Sequence, residues 1–281
     1  MQKPNLFLIG CGKSGTTSLY SQLKEHPEIF MSQVKGPNYF GLEPDEAFPE
    51  FFNNLKKYLS LFQDSNKYSV IGEASHYFHI LDAPKKIKEF SKNSKIIIML
   101  RNPYGVVKSY YNGGSIPREL DFLSDKAESH ISSKELKSSL NYKKNILNWA
   151  KSFPVKDVHF IIFDDFIKSP EAEYKKVCKF LNVDSKFVPD LRPQGESRAL
   201  KNKWLLRLLG AFSVKFKVAI KQAMPTRLEQ SIRFAFLKLT TKEKLKLDPL
   251  YDLTKRLKPI LNPRIDWLSK YLKMDLSTWK R

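Results

Sequence analysis

Residues 5–9 read N-L-F-L-I, an apolar run of strand length, and pass directly into G-C-G-K-S-G-T-T at residues 10–17. From Ser18 to Glu25 the spacing turns helical, with Leu19 and Leu23 on one face. Strand, glycine loop and helix in that order open a phosphate-binding α/β unit. Such a loop points several backbone N–H groups at one spot, and the helix N-terminus adds its partial positive charge, so the turn is an anion cradle. Its candidate ligand-binding residues are Lys13, Ser14, Gly15, Thr16, Thr17 and Ser18.

Gly10 and Gly15 are spaced as in a Walker A loop, but that motif places Lys and then Ser or Thr after its second glycine. Here Thr16 takes the lysine's place and the lysine moves forward to Lys13. A later strand also ends in Arg101, where nucleotide hydrolases often keep a metal-holding Asp. Both changes argue against Mg-ATP and suit a donor with fewer anionic centres at its 5′ end. Lys13 is then placed at a bridging oxygen where charge develops as a bond breaks.

The rest of the chain repeats the alternation. Apolar runs at 69–71, 95–100 (K-I-I-I-M-L) and 157–163 (D-V-H-F-I-I-F) read as strands, the second nearly continuous as a doubly covered parallel strand should be. A helical stretch with Val106, Val107 and Tyr110 follows Arg101, and one with Tyr174, Val177, Phe180 and Leu181 follows Asp164-Asp165. The expected fold is α/β, a P-loop-type three-layer sandwich whose central parallel sheet is flanked by helices. At 281 residues it is expected to be a single domain spanning 1–281. Residues 112–140, rich in Ser and Lys, read as a mobile insertion, 192–202 as a loop, and 200–281 as a basic helical part with about twenty Lys and Arg against about six acids.

Composition narrows the class. With 42% hydrophobic residues the chain is globular, and its formal charge of +20 calls for an anionic partner. Cys11 and Cys178, the two cysteines, stand at core-like positions and read as reduced thiols. No run of about 18 apolar residues occurs, so a cytoplasmic location is expected, with contact at a membrane surface left open.

Four segments carry a family resemblance. K-S-G-T-T-S-L-Y-S-Q-L-K-E-H-P-E-I (13–29) resembles the 5′-phosphosulfate loop of sulfotransferases that use 3′-phosphoadenosine 5′-phosphosulfate (PAPS), particularly their bacterial and heparan-type carbohydrate branch. K-I-I-I-M-L-R-N-P-Y-G-V-V-K-S-Y-Y (95–111) is similar to the family's 3′-phosphate motif, with Arg101 and Ser109 on the matching positions and Val106 where a second arginine is usual. Residues 163–184 and the ending M-D-L-S-T-W (274–279) resemble the family's late strand-to-helix segment and C-terminal cap, Trp279 being a core plug. The resemblance implies sulfuryl transfer from PAPS to a hydroxyl or amino group of a carbohydrate or glycolipid, with adenosine 3′,5′-bisphosphate as product and no metal. It also places Arg198, in E-S-R-A-L-K, near the 3′-phosphate.

Such transfer needs a group to take the acceptor's proton. Many relatives carry Lys-Glu-Pro-x-aromatic-Phe after the first helix, with the Glu implicated as base; here the segment is Lys35-Gly36-Pro37-Asn38-Tyr39-Phe40. Lys35 is a candidate contact to sulfate or acceptor. Glu73 and His76, both in G-E-A-S-H-Y-F (72–78), are the candidate bases, Glu73 slightly preferred. The remaining histidines read as structural: His26 at a helix end, His79 and His159 in strand-like runs, His130 in the polar insertion. The stretch 204–221, apolar but interrupted by Arg207, Lys215, Lys217 and Lys221, either covers the core or rests on an anionic membrane. Competing readings are an ATP-dependent P-loop kinase or phosphotransferase, a basic nucleic-acid-binding module, and a weakened sulfotransferase-like binding protein. No nucleic-acid motif accompanies the charge, so a nucleic-acid partner is not expected.

Overall fold

The apolar N-terminal run forms strand β1 (Leu6–Leu8), whose three residues are all buried. The computed structural model describes residues 2–41, 49–112, 136, 138–193 and 248–280. After β1 come helix α1 (Thr16–Glu25), β2 (Ile29–Met31), α2 (Leu55–Ser60), β3 (Val70–Ala74), α3 (Ala83–Phe90), β4 (Lys95–Leu100) and α4 (Pro103–Asn112). The chain continues with α5 (Tyr142–Ala150), β5 (Val158–Ile162), α6 (Phe163–Lys168), α7 (Pro170–Leu181), α8 (Asp248–Leu272) and a closing 3₁₀ turn, Ser277–Lys280.

Among the described residues five strands, all parallel, lie in the order β2-β3-β1-β4-β5. Phe7 of β1 stands beside Glu73 of β3 and Ile96 of β4. Leu6, Leu8, Ile97, Met99 and Ile161 face α1 and α7 through Leu19, Leu23, Tyr174, Val177 and Cys178. Phe7, Ile9, Ile96, Ile98 and Leu100 face the opposite layer, where Tyr58, Ile87, Ile146, Trp149, Ile265 and Leu268 pack. Alternation of side chains along each strand thus fills two cores, giving the helix-sheet-helix sandwich expected from the sequence. A third cluster joins Val106, Val107 and Tyr110 of α4 to Leu257 and Leu261 of α8. Both cysteines are free and buried.

The strand order positions the site. From β1 the chain crosses towards β2 on one side, whereas from β4 it crosses to β5 on the other. Between adjacent strands whose crossovers diverge, the carboxyl ends leave a crevice where ligands of such sheets bind.

Several boundaries depart from the sequence reading. α1 starts at Thr16 because Gly15, in the left-handed region with φ 85°, serves as its cap. β3 runs on through Glu73, and β5 stops at Ile162 because Phe163 opens α6. The edge strand β2 was not anticipated; three residues are too few to show a period. His79 lies in a turn after β3, not in a strand, whereas His159 does belong to β5. Most of the 112–140 and 200–281 segments, with His130, Arg198 and the 204–221 stretch, lie outside the described residues.

Candidate functional site

The glycine loop sits at the carboxyl end of β1 and is sewn to β4: Cys11 N–H donates to the Met99 carbonyl at 2.7 Å, and Met99 N–H to the Gly10 carbonyl at 2.7 Å. A side chain at Gly15 would strain a backbone at φ 85° and press a Cβ to 3.2 Å from the Phe163 ring. Glycine there lets the loop turn tightly over α6 into the helix. Gly15 has no side chain to cap α1 and no acid occupies its first turn, so the positive end of this helix dipole at Thr16 and Thr17 suits an anion. Ser14, Thr16 and Ser18 are buried; Lys13, Gly15 and Thr17 are partly exposed.

Arg101 follows β4 and closes on this loop. Its Nη1 donates to the Lys13 carbonyl at 2.7 Å, and the guanidinium lies over the Phe163 ring with its central carbon 4.3 Å from the centroid. The Tyr142 hydroxyl fixes the Arg101 carbonyl at 2.7 Å. Gly105 gives the guanidinium room, since a Cβ there would stand 3.1 Å from its Nε. Burial, and then the neighbouring Arg101 charge, hold the Lys13 ammonium below the usual lysine range. Burial likewise pulls Arg101 down, opposed by the Asp164 carboxylate. Two cations close enough to feel each other's charge, and partly out of water, are relieved by an anion between them. Ser109, half-buried, stands on α4 beyond Arg101.

Trp279 plugs the floor beneath this arginine. Its indole N–H donates to Asp164 at 2.7 Å and its carbonyl accepts from the Asn102 side chain at 3.2 Å, with 3% of the residue exposed. Trp279→Ala is expected to cost about 3–5 kcal/mol of stability, read as a lowered denaturant midpoint.

A second cluster forms beside the loop. Glu73 is wholly buried; Tyr58 donates to its Oε1 at 3.2 Å and Ser75 to its Oε2 at 2.7 Å. Burial pushes its pKa up to about 7, against hydrogen bonds from Ser75, Tyr77 and Tyr58 and the charge of Lys35. The 35–40 segment is zipped along the end of β3: Gly36 N–H donates to the Ala74 carbonyl at 2.8 Å, Asn38 N–H to the Ser75 hydroxyl at 3.2 Å, and Phe40 N–H to the Tyr77 hydroxyl at 3.3 Å. Gly36, at φ 82°, lies in the region glycine favours, so this backbone suits the residue present. His76 is exposed, and its Cε1 comes within 4.0 Å of where a Cβ on Gly12 would lie, so its imidazole faces the loop.

The fold therefore brings Lys13 and Arg101 together directly, sets His76 at the loop's edge, and places Lys35 and Glu73 in a neighbouring cluster. Tyr58, Ser75, Tyr77, Phe163 and Tyr142 complete these surroundings and were not singled out from sequence. The two tyrosines at 58 and 142 arrive from helices far along the chain, and no local pattern marks them.

Together these features define a P-loop-type α/β protein whose glycine loop and Arg101 meet at the carboxyl end of the sheet. The chain belongs to the sulfotransferase domain family, which matches residues 3–235. It is 25% identical over 190 residues to the heparan sulfate glucosamine 3-O-sulfotransferase 3B1 of Mus musculus, covering 65% of this chain and 47% of that protein. The Homo sapiens 3B1 enzyme is 26% identical over 195 residues, with the same coverage of 65% and 47%. The chain thus spans about half the length of these relatives. A sulfotransferase from Alicyclobacillus acidocaldarius shares the fold, with a TM-score of 0.69 at 21% identity and full coverage of both chains. Among the described residues no helix is long and apolar enough to cross a membrane, and no group of His, Cys, Asp and Glu could hold a metal ion.

Proposed function

We propose that the chain, as one domain, is a sulfotransferase taking its sulfuryl group from PAPS and delivering it to a hydroxyl or amino group of a glycan or glycolipid. One observation carries this reading: the Arg101 guanidinium bonds the Lys13 backbone, so the loop at β1 and the cation at β4 form a single two-ended anion site. The residues fit such a donor. The N-terminal end of α1 and Lys13 suit its 5′-phosphosulfate, and the Arg101 fork with the Ser109 hydroxyl suits its 3′-phosphate, with Arg198 assigned there too.

In the transfer the acceptor oxygen or nitrogen forms a bond to sulfur while the bond from sulfur to the 5′-phosphate oxygen breaks. Lys13 stabilises the charge that gathers on that leaving oxygen. His76 receives the acceptor's proton: it is exposed and faces the loop, whereas both Glu73 oxygens are engaged in a closed pocket. Glu73 then acts through Tyr58, Ser75 and Tyr77, holding the 35–40 segment and with it Lys35, the proposed acceptor contact. A charge of +20 favours an acidic acceptor, and the relatives' names specify heparan sulfate glucosamine.

The donor assignment is tested by thermal shift. Adenosine 3′,5′-bisphosphate at about 100 times its Kd should raise the melting temperature by roughly 5 °C, and ATP with Mg²⁺ by much less. A larger shift with Mg-ATP would return the chain to the phosphotransferase reading.

A further inference from the structure

Lys13 is a lysine in a backbone conformation that side chains seldom adopt, with φ 61°. Arg101 holds its carbonyl from one side. At the other end, its Nζ lies 5.1 Å from the centroid of the Tyr110 ring. Tyr110 is 7% exposed and is set by Val106 and Val107, its neighbours on α4, against Leu257 and Leu261 of α8. A lysine ammonium is a mobile point charge on a long stem, and an aromatic face gives it a resting place without neutralising it.

The same tyrosine explains Gly12. Unlike Gly10, Gly15 and Gly36, this residue is not at positive φ, so its backbone does not require glycine. A Cβ on Gly12 would instead stand 2.3 Å from the Tyr110 hydroxyl oxygen, while the ring carbon Cζ lies at an ordinary 3.5 Å. The hydroxyl alone forbids a side chain.

We propose that Tyr110 is a positioning residue for Lys13: its ring carries the ammonium over the phosphate loop, and its hydroxyl seats against the Cα of Gly12, locking α4 to that loop. The role in transfer rests on the donor reading given above; the contact with Gly12 does not.

The test separates the two. A cycle of Gly12→Ala, Tyr110→Phe and the double variant is read first by melting temperature without ligand. Gly12→Ala should lower it, and Tyr110→Phe should restore much of that loss, so the double variant melts well above the sum of the single effects. A double variant no more stable than additivity predicts would remove the Gly12 contact. Transfer from PAPS is then measured alongside adenosine 3′,5′-bisphosphate affinity. Tyr110→Leu should lower kcat about tenfold or more with Kd changed less than about threefold, and Tyr110→Phe, which keeps the ring, should recover most of kcat. Wild-type kcat in Tyr110→Leu, or an equal loss in Tyr110→Phe, overturns the positioning role. No affinity of the wild-type protein for the bisphosphate would overturn the donor reading and the positioning role with it, while leaving the melting cycle to decide the contact.

Discussion

Alanine at Lys13 is expected to lower kcat for sulfuryl transfer by about 10²–10³-fold while leaving affinity for adenosine 3′,5′-bisphosphate nearly intact. The reason lies in when each cation is used. On the proposed donor reading, Lys13 meets charge that develops only as the bond to the leaving oxygen breaks, so its loss falls on the transition state. On the same reading Arg101 meets a 3′-phosphate whose charge is the same before and after transfer, so Arg101→Ala should weaken bisphosphate binding by about 10–100-fold and change kcat at saturating donor far less. Arg101→Lys keeps a charge but loses the planar fork and the stacking on Phe163, and is expected to recover only part of the affinity. Calorimetry with the bisphosphate and initial rates at saturating PAPS separate these outcomes. The opposite split, affinity lost at Lys13 and rate lost at Arg101, would exchange the two roles.

The glycine loop and Arg101, the proposed donor side, are legible in the sequence because their signals are local. A glycine loop between strand and helix announces an anion cradle, and Arg101 stands at the end of an almost wholly apolar strand, where a charged residue must lie at the sheet's rim. The sheet follows from the same alternation. What sequence could not show are features made by distant partners. Nothing near Tyr58 marks it as the hydrogen-bond donor to Glu73, since α2 reaches that acid only once β3 is paired with β1 and β2. Tyr110 reads as one more apolar residue on a helix face, and its second role at Gly12 exists only through packing. Glu73 itself is visible as an acid at a strand end, but its full enclosure is not, because β3 extends further than its apolar run suggests. That enclosure is what moves the choice of base towards His76.

His76→Ala and Glu73→Gln, assayed side by side, decide that choice. His76→Ala is expected to lower kcat by about 10²–10³-fold, the usual worth of a positioned general base, and Glu73→Gln by less than about tenfold. A loss in Glu73→Gln as large as in His76→Ala would return the proton to the carboxylate, and full activity in both would exclude the pair. Glu73 carries a second signature that needs no substrate. Its folded pKa of about 7 lies above the ordinary 4.5, so the native protein keeps this proton where the unfolded chain has released it. The stability that comes from the neutral acid is fully present below about pH 4.5, declines as pH rises, and is lost once pH passes about 7. Integrated over that window the loss is up to about 3 kcal/mol. Glutamine in its place cannot ionise, so Glu73→Gln should gain on the wild type by up to that amount (~3 kcal/mol) between pH 4.5 and 8 in urea titrations. Parallel stability curves for the two proteins across that range would show that Glu73 is ionised in its pocket. The closed cluster with Tyr58, Ser75 and Tyr77 would then be holding a carboxylate, and Glu73 would again be the better candidate to take a proton.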